Sequence, residues 1–278
     1  MTKPIVITLA AQKGGVGKTS IALNFGDYLA SKGIKTLLID LDSQLNLTTV
    51  LKAKVAPSRR VANIFQPEKD KQVSICSIYD NLDLIAGSTS LNDSLNNELI
   101  HRLNGQYFLY QWFHNKNREL FESYQVLIFD THPSFDMFVK NALYLSDYVI
   151  SPLFPDVLSL SSQINFRYHY QDLRQEAVDK NGNEEINAQL YFVGNGFRNH
   201  SQSSQDFKQI LEQQNEQNHD IIAYLPNREV FRQTLNQRLP LTRLMQQSLW
   251  HNRYQKNADE FYQQFDQIIE KLNIVPNK

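Results

Sequence analysis

Residues 4–42 read PIVITLAAQKGGVGKTSIALNFGDYLASKGIKTLLIDLD, and the order of patterns in this stretch decides the fold. Residues 4–10 (PIVITLA) are a short run rich in β-branched side chains, as a strand requires. A glycine-rich stretch follows, and then Ile21, Leu23, Phe25 and Leu29 give residues 20–30 apolar positions at helical spacing. Gly33 supplies a stop for that helix, and residues 35–40 (KTLLID) read as a second buried strand ending in a carboxylate. Two parallel strands joined by a helical crossover fit this length.

Further out, residues 82–86 (LDLIA), 124–130 (YQVLIFD), 148–153 (YVISPL), 189–193 (QLYFV) and 221–225 (IIAYL) are strand candidates separated by longer helical stretches. This alternation predicts an α/β fold, a doubly wound, mainly parallel sheet flanked by helices. Near-continuous apolar runs such as VLIF at 126–129 suit strands covered on both faces. The polar residues 179–187 (DKNGNEEIN) read as a surface loop, and the Gln/Asn-rich residues 202–218 as solvated helix and loop. A single domain is expected over residues 1–278. Tyr254, Ala258, Phe261, Phe265, Ile268 and Leu272 recur at three- and four-residue steps. An amphipathic helix over about residues 251–273 is therefore expected to pack on that domain.

Composition removes several classes of function. Lys+Arg 28 against Asp+Glu 29 leave a net charge of -1, so no global charge announces a nucleic-acid partner. Cys76 is the one cysteine, which excludes a disulfide framework and a thiolate cluster built by one chain, and suits a reducing compartment. No apolar run approaches the roughly 20 residues that span a bilayer, and the N-terminus lacks the apolar core of a signal peptide. A cytoplasmic protein is expected. Too little chain precedes the glycine loop for an added DNA-binding domain, so operator-specific autoregulation is not expected.

Glycine is scarce, 10 residues in all, yet Gly14, Gly15 and Gly17 fall within four positions. Residues 13–20 (KGGVGKTS) follow a strand and open a helix, which is the context of a phosphate-binding loop. Backbone N–H groups around Gly14, Gly15, Val16 and Gly17 can converge on phosphate oxygens, the helix N-terminus adds its dipole, and Lys18 neutralises the terminal phosphates. Thr19 is placed to offer a hydroxyl to Mg²⁺, with Ser20 beside it. The strict pattern G-x-x-x-x-G-K-[ST] fails at Gln12, and an extra lysine, Lys13, opens the loop instead. Asp40 and Asp42 end the second strand and Asp130 ends VLIFD, where a magnesium–nucleotide site needs carboxylates.

These segments resemble the ParA/MinD group of P-loop ATPases with a deviant Walker A motif, over most of the chain. KGGVGKTS resembles the group's phosphate loop, LLIDLDSQLNLT its first switch, and VLIFDTHPS its Walker B and second switch. SPLFPDVLSL at 151–160 and LPNREVFRQTLNQRLPL at 225–241 resemble its later segments, and among subgroups the likeness is to ParA-type partition and cargo-positioning ATPases. The resemblance implies a P-loop NTPase fold and a weak, partner-stimulated ATPase using ATP and Mg²⁺. It implies that Lys18 binds the β/γ-phosphates, that Thr19 ligates Mg²⁺, that Asp130 holds the metal site through water, and that Asp40 supports the metal shell. Lys13 would cross a nucleotide-sandwiched homodimer to the partner's phosphates, Asp42 would serve hydrolysis, and Asn195 and Pro226 would contact adenine. Ser43, His132 and Arg238 depart from the group's pattern and touch its switch geometry. His132 invites a general-base role, which phosphoryl transfer does not require.

An output for such a switch is suggested by six basic residues, Arg228, Arg232, Arg238, Arg243, Arg253 and Lys256, against the single acid Glu229 in that stretch. A patch of this kind gives non-specific, salt-sensitive DNA binding, which the resemblance also implies together with nucleoid association and a cargo-linked ParB-like or adaptor protein as stimulator. The alternatives are a MinD-like membrane-associated positioning ATPase, a nitrogenase-reductase-like electron carrier and a non-enzymatic DNA adaptor. The first wants a basic, strongly apolar C-terminal helix, which residues 274–278 (IVPNK) and the acidic Asp259, Glu260, Asp266 and Glu270 do not supply. The second needs paired cysteines per subunit, and the third has no use for Lys18, Asp42 and Asp130 together.

Overall fold

In the computed structural model, which describes residues 3–66, 72–198 and 201–275, eight strands form one sheet in the order β3-β4-β2-β5-β1-β6-β7-β8. They are β1 (Ile5–Leu9), β2 (Thr36–Leu41), β3 (Ile75–Tyr79), β4 (Leu82–Ile85), β5 (Val126–Thr131), β6 (Tyr148–Leu153), β7 (Gln189–Phe197) and β8 (Ile221–Pro226). Neighbouring strands are parallel except β3, which runs antiparallel to β4. The connecting helices are α1 (Lys18–Ser31), α2 (Asn46–Val50), α3 (Asp93–Ile100), α4 (Phe108–Gln111), α5 (Arg118–Glu122), α6 (Met137–Leu145), α7 (Val157–Glu176), α8 (Gln202–Asn218), α9 (Glu229–Gln237), α10 (Leu241–Met245) and α11 (Ser248–Lys271).

Both faces of the sheet are covered, and the alternation along each strand shows it. Ile7, Leu38 and Ile128 join one apolar core with α1, α10 and α11. Their neighbours Val6, Leu37, Leu127 and Phe129 join another with α3, α4 and α6. Strands buried on both sides need apolar residues at every position, which is why VLIF and TLLI carry no polar alternation. The sheet is the doubly wound, mainly parallel one that the sequence predicts.

Strand β3 is absent from the strands expected of the sequence. Its turn, Asp80-Asn81, uses Asn81 at φ 62° and contains no glycine, so the strongest short-range hairpin signal is missing. Residues 202–218 form one helix, with Phe207 and Leu211 buried beneath its polar face. The loop at 179–187 is pinned by Asp179, whose carboxylate accepts from the N–H groups of Asn181 (2.7 Å) and Asn183 (2.9 Å). Part of the 274–278 tail lies outside the described residues. Among the described residues no helix is long and apolar enough to cross a membrane.

Helix α11 begins at Ser248, three residues before the expected start, and lays Ala258, Phe261, Phe265 and Ile268 into the core shared with α1. Phe265 meets Phe25 and Tyr28 at ring-centroid distances of 5.4 and 5.6 Å, and Phe261 stacks on Phe231 at 4.2 Å. The Tyr28 hydroxyl donates to Asp266 at 3.0 Å, which also pairs with Lys32. At the sheet edge, Gln264 accepts the Tyr224 N–H (2.7 Å) and Asn215 accepts the Ile221 N–H (2.8 Å).

Phe265→Ala should lower the unfolding free energy by about 3–5 kcal/mol, because the ring is fully buried and its removal leaves a cavity in the core. Urea titration followed by circular dichroism measures this; a loss below about 1 kcal/mol would show that α11 is not integral to the core.

Candidate functional site

The loop between β1 and α1 sits at the carboxyl ends of the strands, where an open parallel sheet places its ligands. Gly17 ends the loop in the left-handed region (φ 100°), and its carbonyl accepts from Ile21 at 2.9 Å to begin α1. Lys18 is buried, its ammonium 3.4 Å from the Ala11 carbonyl across the loop. Burial lowers its pKa, opposed by the carboxylates of Asp130 and Asp42.

Register brings the acidic residues together: in the β2–β5 pair Asp40 stands opposite Asp130. Asp40 is saturated, with one oxygen taking the Asp42 N–H (3.1 Å) and the other the Thr48 N–H (2.9 Å) and hydroxyl (2.6 Å). Burial nonetheless pushes it up to about 6. The Thr48 hydroxyl in turn accepts the Gly87 N–H at 2.8 Å. Asp130 is fully buried, and neither oxygen has a hydrogen-bonding partner of regular geometry. Burial and the Asp40 charge raise its pKa well above the usual carboxylate range, while the nearby Thr19 hydroxyl and Lys18 ammonium favour the ionised form.

A buried carboxylate with no donor, beside a hydroxyl, has the chemistry of an oxygen site for a hard divalent cation, so Thr19 and Asp130 fit Mg²⁺. Asp40 has no idle oxygen and stands behind them. Asp42 opens onto a cleft of about 520 Å³ lined also by Gly14, Gly15, Gly17, Lys18, Thr19 and Ser20, with Pro133 and Leu235 at its sides. Its own carboxylate accepts the Gln44 N–H at 2.9 Å, which fixes the turn that carries it.

Other residues singled out in the sequence stand apart from this cleft. Lys13 turns away: its ammonium lies 2.6 Å from both oxygens of Asp156 and 3.3 Å from the Ser159 hydroxyl. Asn195 donates to the Val16 carbonyl at 2.8 Å, behind the loop. Pro226 lines a separate groove with Phe197, Arg198 and Tyr224. His132 is 2.9 Å from Asp136 through Nε2, and this bond raises the imidazole pKa. Asp136 caps α6, accepting from Phe138 (3.0 Å) and Val139 (3.1 Å), so His132 braces a helix end and does not line the cleft.

The basic stretch is divided. Arg228 pairs with Glu260 (2.8 Å), Arg232 with Glu229 (2.6 Å), and Arg243 with Asp27 (3.1 Å), which is fully buried and also accepts from Thr242. Arg253 lies over its neighbour Tyr254, and Arg238, Arg253 and Lys256 are exposed. Thr48, which holds Asp40, and Asp156, which holds Lys13 away from the cleft, are not among the residues the sequence singles out. Asp156 carries the signal of a helix cap, borne out by its bond to the Ser159 N–H (2.9 Å), but no sequence pattern ties it to Lys13.

Strand, phosphate loop, helix and a carboxylate at the end of the neighbouring strand together define a P-loop nucleotide-binding protein. The AAA domain family AAA_31 matches residues 4–183, so the chain belongs to that family, as a ParA-type ATPase. It is 32% identical over 216 residues to an uncharacterized protein of Methanocaldococcus jannaschii, covering 75% of this chain and 78% of the relative. It is 36% identical over 151 residues to the virulence plasmid ParA family protein pGP5-D of Chlamydia trachomatis, covering 53% of this chain and 55% of that one. The chain thus spans about half the length of the chlamydial relative. The fold is shared with a Cyanothece McdA–ATP complex at TM-score 0.79 and 20% identity, with both chains covered in full.

Asp130→Asn should stabilise the nucleotide-free chain in chelator, because it removes a buried charge whose cost the nearby Thr19 hydroxyl and Lys18 ammonium offset only in part. A carboxyl whose pKa is raised on folding withdraws stability as pH climbs from its unfolded value through its folded one. The variant's advantage in thermal midpoint should therefore be larger at pH 8 than at pH 4. An advantage that did not grow with pH would contradict the assignment of Asp130 as the strained group.

Proposed function

We propose that the chain is an ATP-driven switch that dimerises around Mg-ATP, binds non-specific DNA as the dimer, and lets go when a cargo-linked partner stimulates slow hydrolysis. The observation that carries this reading is the convergence of Lys18, Thr19 and Asp42 on one cleft above the unpartnered Asp130. Phosphoryl transfer asks a protein mostly for positioning and charge stabilisation. Lys18 and the N–H groups of the loop supply positive charge, Thr19 and Asp130 supply oxygens to Mg²⁺, and Asp42, held by Gln44, orients the attacking water. The metal neutralises phosphate charge and positions the phosphates.

Lys13 supports the dimeric form of the reading because its ammonium does not serve its own cleft. It waits on Asp156, about a quarter exposed, where a partner subunit's phosphates can compete for it. For DNA the division of the basic stretch supports Arg238, Arg253 and Lys256 as the contacting groups. Arg228, Arg232 and Arg243 hold their own chain's acids instead. A patch of three cations is modest, and doubling it in a dimer raises avidity without new contacts, which ties DNA binding to ATP. The site of action is then the cytoplasm, on the nucleoid. The names of the chlamydial relative and of a Borrelia burgdorferi plasmid partition protein of similar fold favour a plasmid as cargo, and a chromosome or a protein complex would use the same switch.

Lys13→Ala should bind ATP and remain monomeric, whereas Asp42→Ala should form the ATP dimer and hold DNA longer than wild type. Light scattering and DNA binding with ATP, ADP or no nucleotide across a salt series read both. DNA binding that ignores nucleotide, or a Lys13→Ala chain that still dimerises with ATP, would sink the reading.

Removing the Arg253 or Lys256 charge should lower the slope of log affinity against log salt by about 0.9 for each phosphate left unneutralised, and by twice that when both subunits contribute. Arg243→Ala should instead cost about 3–5 kcal/mol of stability by stranding Asp27, with DNA binding by the folded fraction unchanged. An unfolding titration of Arg243→Ala alongside the salt series of the other two separates the roles; equal salt slopes for all three variants would refute the division.

A further inference from the structure

Asn195 is expected at the base, yet its side chain reaches the phosphate loop. It is nearly buried, and its amide nitrogen lies 2.8 Å from the Val16 carbonyl oxygen. The acceptor facing it is a carbonyl, so the amide is oriented with nitrogen inward. The backbone around Asn195 is shaped to deliver it. Gly196 takes φ 80°, and the pairing of β7 with β8 shifts register between Asn195 and Phe197, which makes Gly196 the extra residue of a bulge. Bulges of this kind re-aim a neighbouring side chain.

We infer that Asn195 is a positioning residue for the phosphate loop, acting through the Val16 carbonyl. The peptide between Val16 and Gly17 is planar and trans, so its C=O and N–H point in opposite directions. Holding the carbonyl against β7 aims the Gly17 N–H the other way, into the cleft that Gly17 lines with Lys18 and Thr19. Residue 17 is then doubly constrained to be glycine. It sits at φ 100°, and a Cβ there would come 2.1 Å from the Asn195 amide nitrogen. Without Asn195 the Val16–Gly17 peptide is free to rotate, and a ligand must fix it at its own expense of entropy. The inference rests on the nucleotide reading above and adds that this contact serves phosphate whether or not a base is attached.

The test uses calorimetric titration of the full chain with Mg-ATP and with Mg-tripolyphosphate, which has the phosphates and no base. Asn195→Ala should weaken both ligands about tenfold and equally. Asn195→Leu retains the volume and loses the donor, and it carries the test if the alanine variant does not fold. Partial unfolding lowers the stoichiometry and leaves the affinity alone, so a structural effect is separable. Loss of ATP affinity with tripolyphosphate untouched would assign Asn195 to the base and overturn the inference. So would no change in either, or a wild type that takes Mg-ATP and not tripolyphosphate. A wild type that takes neither ligand would overturn the nucleotide reading itself.

Discussion

Parallel pairing of β2 with β5 sets Asp40 and Asp130 side by side in a dry place, and much of the molecule's upper edge answers to that constraint. Two like charges a strand apart cannot both go without partners. Asp40 is resolved within the chain by Thr48, which also holds Gly87, so one hydroxyl ties the end of β2, the short helix α2 and the loop after β4. Asp130 is left to the Thr19 hydroxyl and Lys18 ammonium nearby, and to whatever cation the cleft receives. On the proposed reading, ligand binding and relief of that buried charge are one event, which is the coupling between occupancy and conformation that a switch needs.

The alternation of strands and helices was readable because burial on both sheet faces writes itself as unbroken apolar runs, as in TLLI and VLIF. The phosphate loop was readable because scarce glycines cluster where backbone must approach a ligand. The antiparallel β3 was not, since Asp80-Asn81 reaches its left-handed turn with asparagine. Contacts across long stretches of chain were also invisible. Lys13 and Asp156 are 143 residues apart, and Asn195 and Val16 are 179 apart. Local pattern places each residue at the end of its element, and only the sheet order decides which ends meet.

Charge counting along the basic stretch misses part of its surroundings for a related reason. The net charge of a sequence window ignores acids that tertiary structure brings to it. Glu260 comes from α11 and Asp27 from α1, and both consume arginines that look free along the chain. Helix α11 consequently has two tasks. Its apolar face completes the core around Phe25 and Tyr28, and its acidic face organises neighbouring cations into ion pairs. The acids that weighed against a membrane helix in the sequence include Glu260 and Asp266, which are spent on these intramolecular bonds.

The β8 border of the sheet is partly blocked against strand addition. There the side-chain amides of Gln264 and Asn215 already occupy the backbone N–H groups of Tyr224 and Ile221. Copies crowded at high local concentration thus meet a poorer backbone template at that border than a bare strand edge would give. Contacts made there by side chains instead have a strength that salt and solvent can tune, and their release needs no unpairing of a sheet. A border of this kind lowers the hazard of edge-to-edge aggregation wherever many copies gather.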